Sequence, residues 1–510
     1  MVSTTPGGQR GSFARTLTTP KIVFIVIAAA APLAAMVFTV PLSFALGVGP
    51  GVPAVFAFAG LTLLCFTSGY AAISREISNG GGFYSQIAHG LGRRPAVGAG
   101  LIAVISYNAV TIGVLGAFAY FTQSVAASHG LHLHWAVWAV VGLLFVGMLG
   151  YRNADLSARV LAVCMVCEIA ILLALDISVL VQRGFSALPG TSFAPGTTLV
   201  PGIGVSVMFA FASFLGFESA GLYGEEAKNP GSSVPRATAI AVVVVSAFYT
   251  FTSWVTVGAV GPSQVQQQAS HHLADLFFGL SDTYLNSAAT TVMQLLLCTS
   301  LLASWLALHN AANRYMYTLG GDRVLPGWLH HVHPRHASVH RASLVQTAVS
   351  SAVVLVYAAA GLDPYVNMST SMIGLGTLGV IVLQALASLA VLGYFRHRPR
   401  HWWNTAAAPV LGAVGLIIAT VLVVLNFGVL TGTSNPLVTS LPWVLVAAAL
   451  FGFAQAWRMR TVSPDRFRRI GGRPDALAAT SVPVPAPTAA APPAQADAAA
   501  AGELKRAPTA

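Results

Sequence analysis

Three carboxylates lie inside long apolar runs of this chain: Glu168, Asp176 and Glu218. A charge at bilayer depth costs at least about 2.5 kcal/mol, so such groups persist where they carry protons, gate a path or hold a partner. Glu168 falls in the middle of its run, where a desolvated carboxyl group could carry a proton. Glu218 stands in Gly-Phe-Glu-Ser, where it could accept hydrogen bonds from neighbouring helices during gating or form a fixed structural contact. Asp176 sits near the far end of its run and reads as a solvated, interfacial charge. No run pairs Ser, His and a carboxylate as nucleophile and base, so an enzyme is not the expectation.

Glu218 belongs to the most informative stretch, GVSVMFAFASFLGFESAGLYGEEAKNPGSSVPRA at 204–237. An apolar aromatic run passes through a Ser-Phe-Leu-Gly break into the Glu225-Glu226 pair and a Pro-Arg restart. Unsatisfied backbone groups are too costly to leave facing lipid, so a break at membrane depth implies a cavity, water or ligand beside it. The segment is therefore expected to form part of a transport site.

The elements that position these residues are membrane helices. The chain has 510 residues, 55% hydrophobic and 8% charged, and its mean hydropathy of +0.72 exceeds what a soluble fold of this length can bury. Runs of roughly 20 apolar residues mark twelve spans, near 21–47, 53–75, 96–126, 134–150, 157–182, 198–222, 237–260, 284–312, 342–360, 369–395, 407–430 and 438–457. Of the 26 Lys and Arg, all but Arg183 fall before the first span, around the loops after even-numbered spans, or beyond the last. The positive-inside rule then places both termini in the cytoplasm of a multi-pass plasma-membrane protein. The net charge of +11 is thereby read as topology, with no nucleic-acid partner.

Outside the spans, residues 1–20 read as a polar cytoplasmic segment. Residues 461–510 read as a basic stretch followed by a Pro- and Ala-rich disordered cytoplasmic tail. The basic stretch is suited to anionic lipid head groups. Cys164 and Cys167, spaced i,i+3 on an apolar run, read as packing residues. His330, His331, His333, His336 and His340 lack regular ligand spacing and read as a solvated loop, so no metal is assigned. Gly80, Gly81 and Gly82 lack the Lys-Ser/Thr of a phosphate loop and read as a turn.

Four blocks of the sequence together resemble the amino acid, polyamine and organocation (APC) permease superfamily. They are FASFLGFESAGLYGEEAKNPGSSVPRA in span six, NGGGFYSQIAHGLGR at 79–93, GYRNADLSARVLAVCMVCE at 150–168, and the loop at 310–343. The resemblance covers about 20–460. It implies an all-α integral membrane fold at 21–460, with twelve transmembrane helices in a 5+5 inverted repeat. The repeats are about 21–182 and 198–395, helices 1 and 6 are broken, and helices 11–12 at 407–457 lie outside the repeat.

The implied activity is secondary active transport of an amino acid or related amine by alternating access, without a cofactor. Half-helix N-termini offer free N–H donors and positive partial charge to a substrate carboxylate. On that basis the expected substrate set is Pro32, Leu33, Ala34, Ala35 and Met36 of span one, Tyr107 of span three, and Ala212, Ser213, Phe214, Leu215 and Gly216 of span six. Pro32 supplies the first break, since its missing N–H and its ring disrupt a helix. Ala34-Ala35-Met36 replaces the glycines and serine of many relatives, and Ala212 stands where some carry a large aromatic gate. Glu168, Glu218 and Ser304 are the expected coupling or gating residues. Proton-coupled uptake of a neutral or broad range of amino acids, rather than of dedicated cationic ones, is the preferred reading. Sodium coupling, amino acid or polyamine exchange, and a transporter-like nutrient sensor are its alternatives.

Overall fold

An apolar chain that must satisfy its own backbone hydrogen bonds within a bilayer has helices as its simplest solution, and the described residues fold accordingly. The computed structural model describes residues 18–77, 82–152, 158–218, 228, 230–336, 338–398, 401–430 and 439–472, and contains no strand among them. Residues 1–17, Gly80, Gly81, Glu225, Glu226 and everything from 473 onward lie outside that description.

Among the described residues, eleven helical spans are long and apolar enough to cross a membrane. The run expected at 198–222 yields instead the short apolar helix Ile203–Ser213. The helices in chain order are α1 (Thr19–Ala30), α2 (Val40–Leu46), α3 (Val52–Glu76), α4 (Gly82–Gly90), α5 (Arg93–Ser128), α6 (Trp135–Arg152), α7 (Ala158–Arg183) and α8 (Ile203–Ser213). They continue as α9 (Pro230–Val260), α10 (Leu276–Tyr284), α11 (Ser287–Gly321), α12 (His340–Ala359), α13 (Thr370–Tyr394), α14 (Ala408–Leu430), α15 (Leu441–Val462) and α16 (Pro464–Arg469).

Helices α5 and α13 cross at the centre of the bundle. Ser369, just before α13, donates its hydroxyl to the Gly113 carbonyl at 2.7 Å. A Cβ added to Gly376 would lie 2.6 Å from the Ser106 carbonyl oxygen, so this position must stay small for the two backbones to approach. Helix α7 sits at the periphery. Its buried stripe is Met165, Glu168, Leu172, Leu175, Asp176 and Val179, whereas Val163, Val166, Ile177 and Val181 point outward as lipid-facing apolar residues. Asp176 is therefore not the solvated charge expected. It is 1% exposed and accepts a hydrogen bond from the Thr252 hydroxyl at 2.7 Å. The cysteines are free, and Cys167 is exposed on the same outer surface rather than packed inside.

The end of the bundle carrying α4 and the Asp322 loop bears the basic loops and is here the basic face. In the basic stretch expected after the last span, α15 runs to Val462 and α16 follows it. Ile470 is buried, the Gly471 N–H donates to Asp322 Oδ2 at 3.1 Å, and the Ser85 hydroxyl donates to the Gly471 carbonyl at 2.7 Å. Tyr84 donates its hydroxyl to the same Asp322 oxygen at 2.7 Å. Gly471 has φ +83, and an added Cβ would meet Ala88 Cβ at 2.3 Å, so conformation and space both select glycine. The folded unit closes with this contact, at Gly472.

Candidate functional site

Two interruptions of helical structure meet at the centre of the molecule. The first follows α1: Ala31 adopts the left-handed conformation (φ 46°), and Pro32–Ala34 forms one turn. Ala35–Thr39 then forms a π-helical turn before α2. Proline explains the stop, because it has no N–H to continue the ladder and its ring clashes with the preceding turn. The second follows α8, which ends at Ser213. Phe214–Gly216 turns away from the helix axis, with Gly216 at φ +106. Only glycine adopts that backbone without strain.

Each interruption frees backbone groups that lipid could not satisfy, at several kcal/mol apiece if left alone. Neighbouring helices supply the partners. The Tyr249 hydroxyl of α9 donates to the Ala30 carbonyl at 3.2 Å, and the Tyr365 hydroxyl donates to the Phe38 carbonyl at 2.9 Å. The two interruptions also bind one another. Thr39 and Ser213 share a 2.7 Å hydroxyl contact, Thr39 donates back to the Ala35 carbonyl, and Ser213 has the Phe209 carbonyl within 2.8 Å.

A cavity of about 40 Å³ lies between these breaks. Ala34 and Ala35 line it from the first break, and Ala212, Ser213 and Leu215 from the second. Helix α11 contributes Ser304, while Val110, Leu301 and Ile373 make much of the wall aliphatic. Its hydroxyls are those of Thr39, Ser213 and Ser304, and no ionisable side chain among the described residues lines it. The volume accommodates about three waters. Helices running in alternate directions stack aromatic layers at both ends. Tyr107 stacks on Tyr315 toward the basic face (centroids 5.0 Å), and Tyr120 stacks on Tyr365 toward the opposite face (5.0 Å). Phe38 leans on Tyr365 at 5.4 Å, which makes the opposite-face layer part of the first break itself.

Not every residue expected at the cavity reaches it. Pro32, Leu33, Met36 and Phe214 are buried but do not line it, nor does Gly216, and Phe214 packs on Tyr249 at 5.4 Å. Tyr107 was expected among the substrate residues; instead its hydroxyl donates to Glu218 Oε1 at 2.7 Å. Glu218 is 8% exposed, and its other oxygen accepts the Gly216 N–H at 3.1 Å. This carboxylate thus ties the second break to α5 just beyond the cavity wall. The N–H groups of Phe214, Leu215 and Phe217 are used in tight-turn bonds to Phe211, Ala212 and Phe214, so the described part of this break presents fewer free donors than a bare half-helix would.

Glu168 lies behind the first break. It is 4% exposed and accepts the Ser300 hydroxyl of α11 at 2.8 Å, and the Leu33 N–H, the first N–H after the proline, approaches the same carboxyl group. Ser300 and Ser304 are one helical turn apart, so α11 touches Glu168 with one hydroxyl and the cavity with the next. Thr39, Tyr249, Ser300 and Tyr365 were not legible as site residues. Polar side chains within apolar runs were the available signal, but their spacing does not say which face of the bundle they meet.

Tyr107→Phe removes only the donor to Glu218. The stacking on Tyr315 survives, while the buried carboxylate loses a charge-assisted hydrogen bond worth about 1.5–3 kcal/mol. The expected result is a folded protein with a lowered melting temperature and, if Glu218 holds the second break during gating, at least a tenfold loss of uptake rate. Uptake at the normal rate would make that bond incidental to gating.

The amino acid permease family profile matches residues 17–463. Among curated relatives, an uncharacterized transporter of Rhizobium meliloti is 27% identical over 316 residues, 59% of this chain and 64% of its own length. The branched-chain amino acid permease BcaP of Bacillus subtilis is 23% identical over 434 residues, 79% of this chain and 85% of BcaP. The methylthioribose transporter of the same organism is 24% identical over 363 residues, 68% of this chain and 75% of that protein. In fold, the chain is similar to the crystal structure of the Eremococcus coleocola manganese transporter, with a TM-score of 0.51 and 13% identity, covering 89% of this chain and 97% of that one. A membrane-helical bundle matched by this profile over nearly its whole described length belongs to the amino acid permease family.

Proposed function

We propose that this membrane transporter carries neutral amino acids with small or branched aliphatic side chains into the cell, coupled to protons and by alternating access. The observation that carries the substrate class is the cavity lining: valine, leucine and isoleucine side chains, three hydroxyls and no ionisable group among the described residues. A charged substrate side chain would be desolvated there without a counter-charge, which costs far more than an aliphatic one gains or loses. The name of the B. subtilis branched-chain relative points the same way.

In this reading the twelve spans include the short α8 as half of a broken sixth helix, and the two five-helix halves begin at the two interruptions. The basic face is cytoplasmic, as are both termini, because the basic residues gather there. Substrate enters between the Thr39–Ser213 bridge and the aliphatic wall once one aromatic layer parts. Tyr120–Tyr365 is the outer layer and Tyr107–Tyr315 the inner one. Glu168 carries the coupled proton. It touches both the first break and α11, so a change in its charge is felt at the two walls of the cavity.

The test is uptake by the purified full-length protein in proteoliposomes, with a panel of radiolabelled alanine, valine, leucine, isoleucine, lysine and glutamate under an imposed inward proton gradient. Leucine or one of its aliphatic neighbours should accumulate, and accumulation should collapse with a protonophore. Preference for lysine or glutamate would overturn the substrate class, and accumulation insensitive to the protonophore would overturn the coupling.

A further inference from the structure

Helix α7 buries two carboxylates on one stripe, and the reading above uses only one of them. Glu168 and Asp176 are 4% and 1% exposed. Eight residues of helix separate them by about 12 Å along the axis. The same helix face passes from the centre of the bundle to the end near Arg183, which is the outer end in the proposed orientation. Helix α9 runs alongside with two hydroxyls one turn apart. The Thr252 hydroxyl donates to Asp176 Oδ2 at 2.7 Å, and the Tyr249 hydroxyl donates to the Ala30 carbonyl at the first break. A second buried acid on a helix that otherwise faces lipid is costly, and a single threonine hydroxyl is a modest partner for it.

We propose that Asp176 is the outer proton-loading group, which takes a proton from the outer side and passes it inward along the α7–α9 seam to Glu168. The inference rests on the assignment of Glu168 as the coupled carboxyl. In the transfer, the Asp176 O–H bond breaks and a Glu168 O–H bond forms. Water and the Thr252 hydroxyl serve as carriers, so the seam keeps its net charge and no other reactant is needed. The other ionisable groups near the seam do not offer an alternative acceptor. Cys164 precedes Glu168 by one turn and is a thiol, and Tyr249 is committed to the Ala30 carbonyl. Arg183 is held by its 2.8 Å bond to the Tyr284 hydroxyl of α10. His309 of α11 turns away to Ser343 of α12, at 2.9 Å.

The experiment compares Asp176→Asn, Thr252→Val and Glu168→Gln with the wild type as full-length proteins in proteoliposomes. The probe is leucine, or whichever panel amino acid the wild type accumulates. Two rates are read: proton-driven uptake across a range of external pH, and exchange at equal pH with substrate on both sides. Asp176→Asn should slow proton-driven uptake at least tenfold, most strongly at high external pH, while exchange stays within twofold of wild type. Thr252→Val, which keeps the carboxyl group and removes its hydroxyl carrier, should show the same pattern at roughly threefold. Unchanged uptake and pH profile in Asp176→Asn, alongside a flattened profile in Glu168→Gln, would overturn the Asp176 role and leave the Glu168 role standing. A Glu168→Gln protein with wild-type accumulation would remove the underlying assignment and the relay with it. If Asp176→Asn fails to fold or loses exchange as well, Thr252→Val decides. Wild-type uptake in that variant would make Asp176 a structural residue.

Discussion

Ala35→Trp is expected to insert normally and to lose uptake below detection, at least a hundredfold. Ala35 is 6% exposed and faces a cavity of about 40 Å³, into which an indole cannot enter without filling the whole space and pressing on the α11 wall. Gly216→Val should have a comparable effect by another route. A β-branched residue is strongly disfavoured at φ +106, so the turn after α8 must rearrange and the Gly216 N–H must leave Glu218. Membrane insertion, checked by surface labelling, should survive in both, since neither change alters the hydropathy of a span by much. Size-exclusion profiles separate loss of function from loss of fold. Normal uptake by both variants would place the substrate elsewhere in the bundle.

Glu168→Gln should abolish accumulation against a gradient and flatten the dependence of uptake on external pH. The amide can still accept the Ser300 hydroxyl, which limits the structural damage, but it cannot take up or release a proton. Wild-type uptake should rise as external pH falls, because a lower pH loads the carboxyl group. The glutamine variant should be nearly level across the same range. Exchange at equal pH should partly survive, since that half-cycle does not require proton release. A Ser300→Ala control, which removes the partner and keeps the acid, should retain pH dependence while shifting its midpoint. Concentrative, pH-dependent uptake by a well-folded Glu168→Gln protein would leave sodium coupling or exchange as the better account.

The two breaks show how far sequence carries such a site. Pro32 and the Ser213–Gly216 stretch announced interruptions at membrane depth, because proline cannot donate and glycine opens conformations closed to other residues. Both interruptions are present. Ala34, Ala35, Ala212, Ser213 and Leu215 were expected together through the family resemblance, and one cavity is lined by all five, with Ser304, expected as a coupling or gating residue, on its α11 wall. Tyr107 was expected at the substrate through the family resemblance, whereas its hydroxyl meets Glu218. Its position on α5 is the same whether it points at the cavity or at Glu218, and helix rotation against α11 settles which. Asp176 failed for a related reason. Distance from the end of an apolar run suggests solvation, yet the residue shares a stripe with Leu172 and Leu175, and α9 covers that stripe.

What the sequence determined by itself is therefore what depends on composition and local backbone chemistry. That includes the helical membrane class, the approximate spans, the positions where helices stop and the gathering of basic residues in alternate loops, since a bilayer demands internal hydrogen bonding and penalises charge residue by residue. Only the tertiary structure decided which partners repair each break. Tyr249 reaches Ala30, Tyr365 reaches Phe38, Thr39 meets Ser213, and Ser300 meets Glu168, across separations of 132 to 327 residues. In a chain whose helices are apolar on nearly every side, hydrophobic periodicity carries little information about rotation. The few polar groups find their partners only when the helices pack.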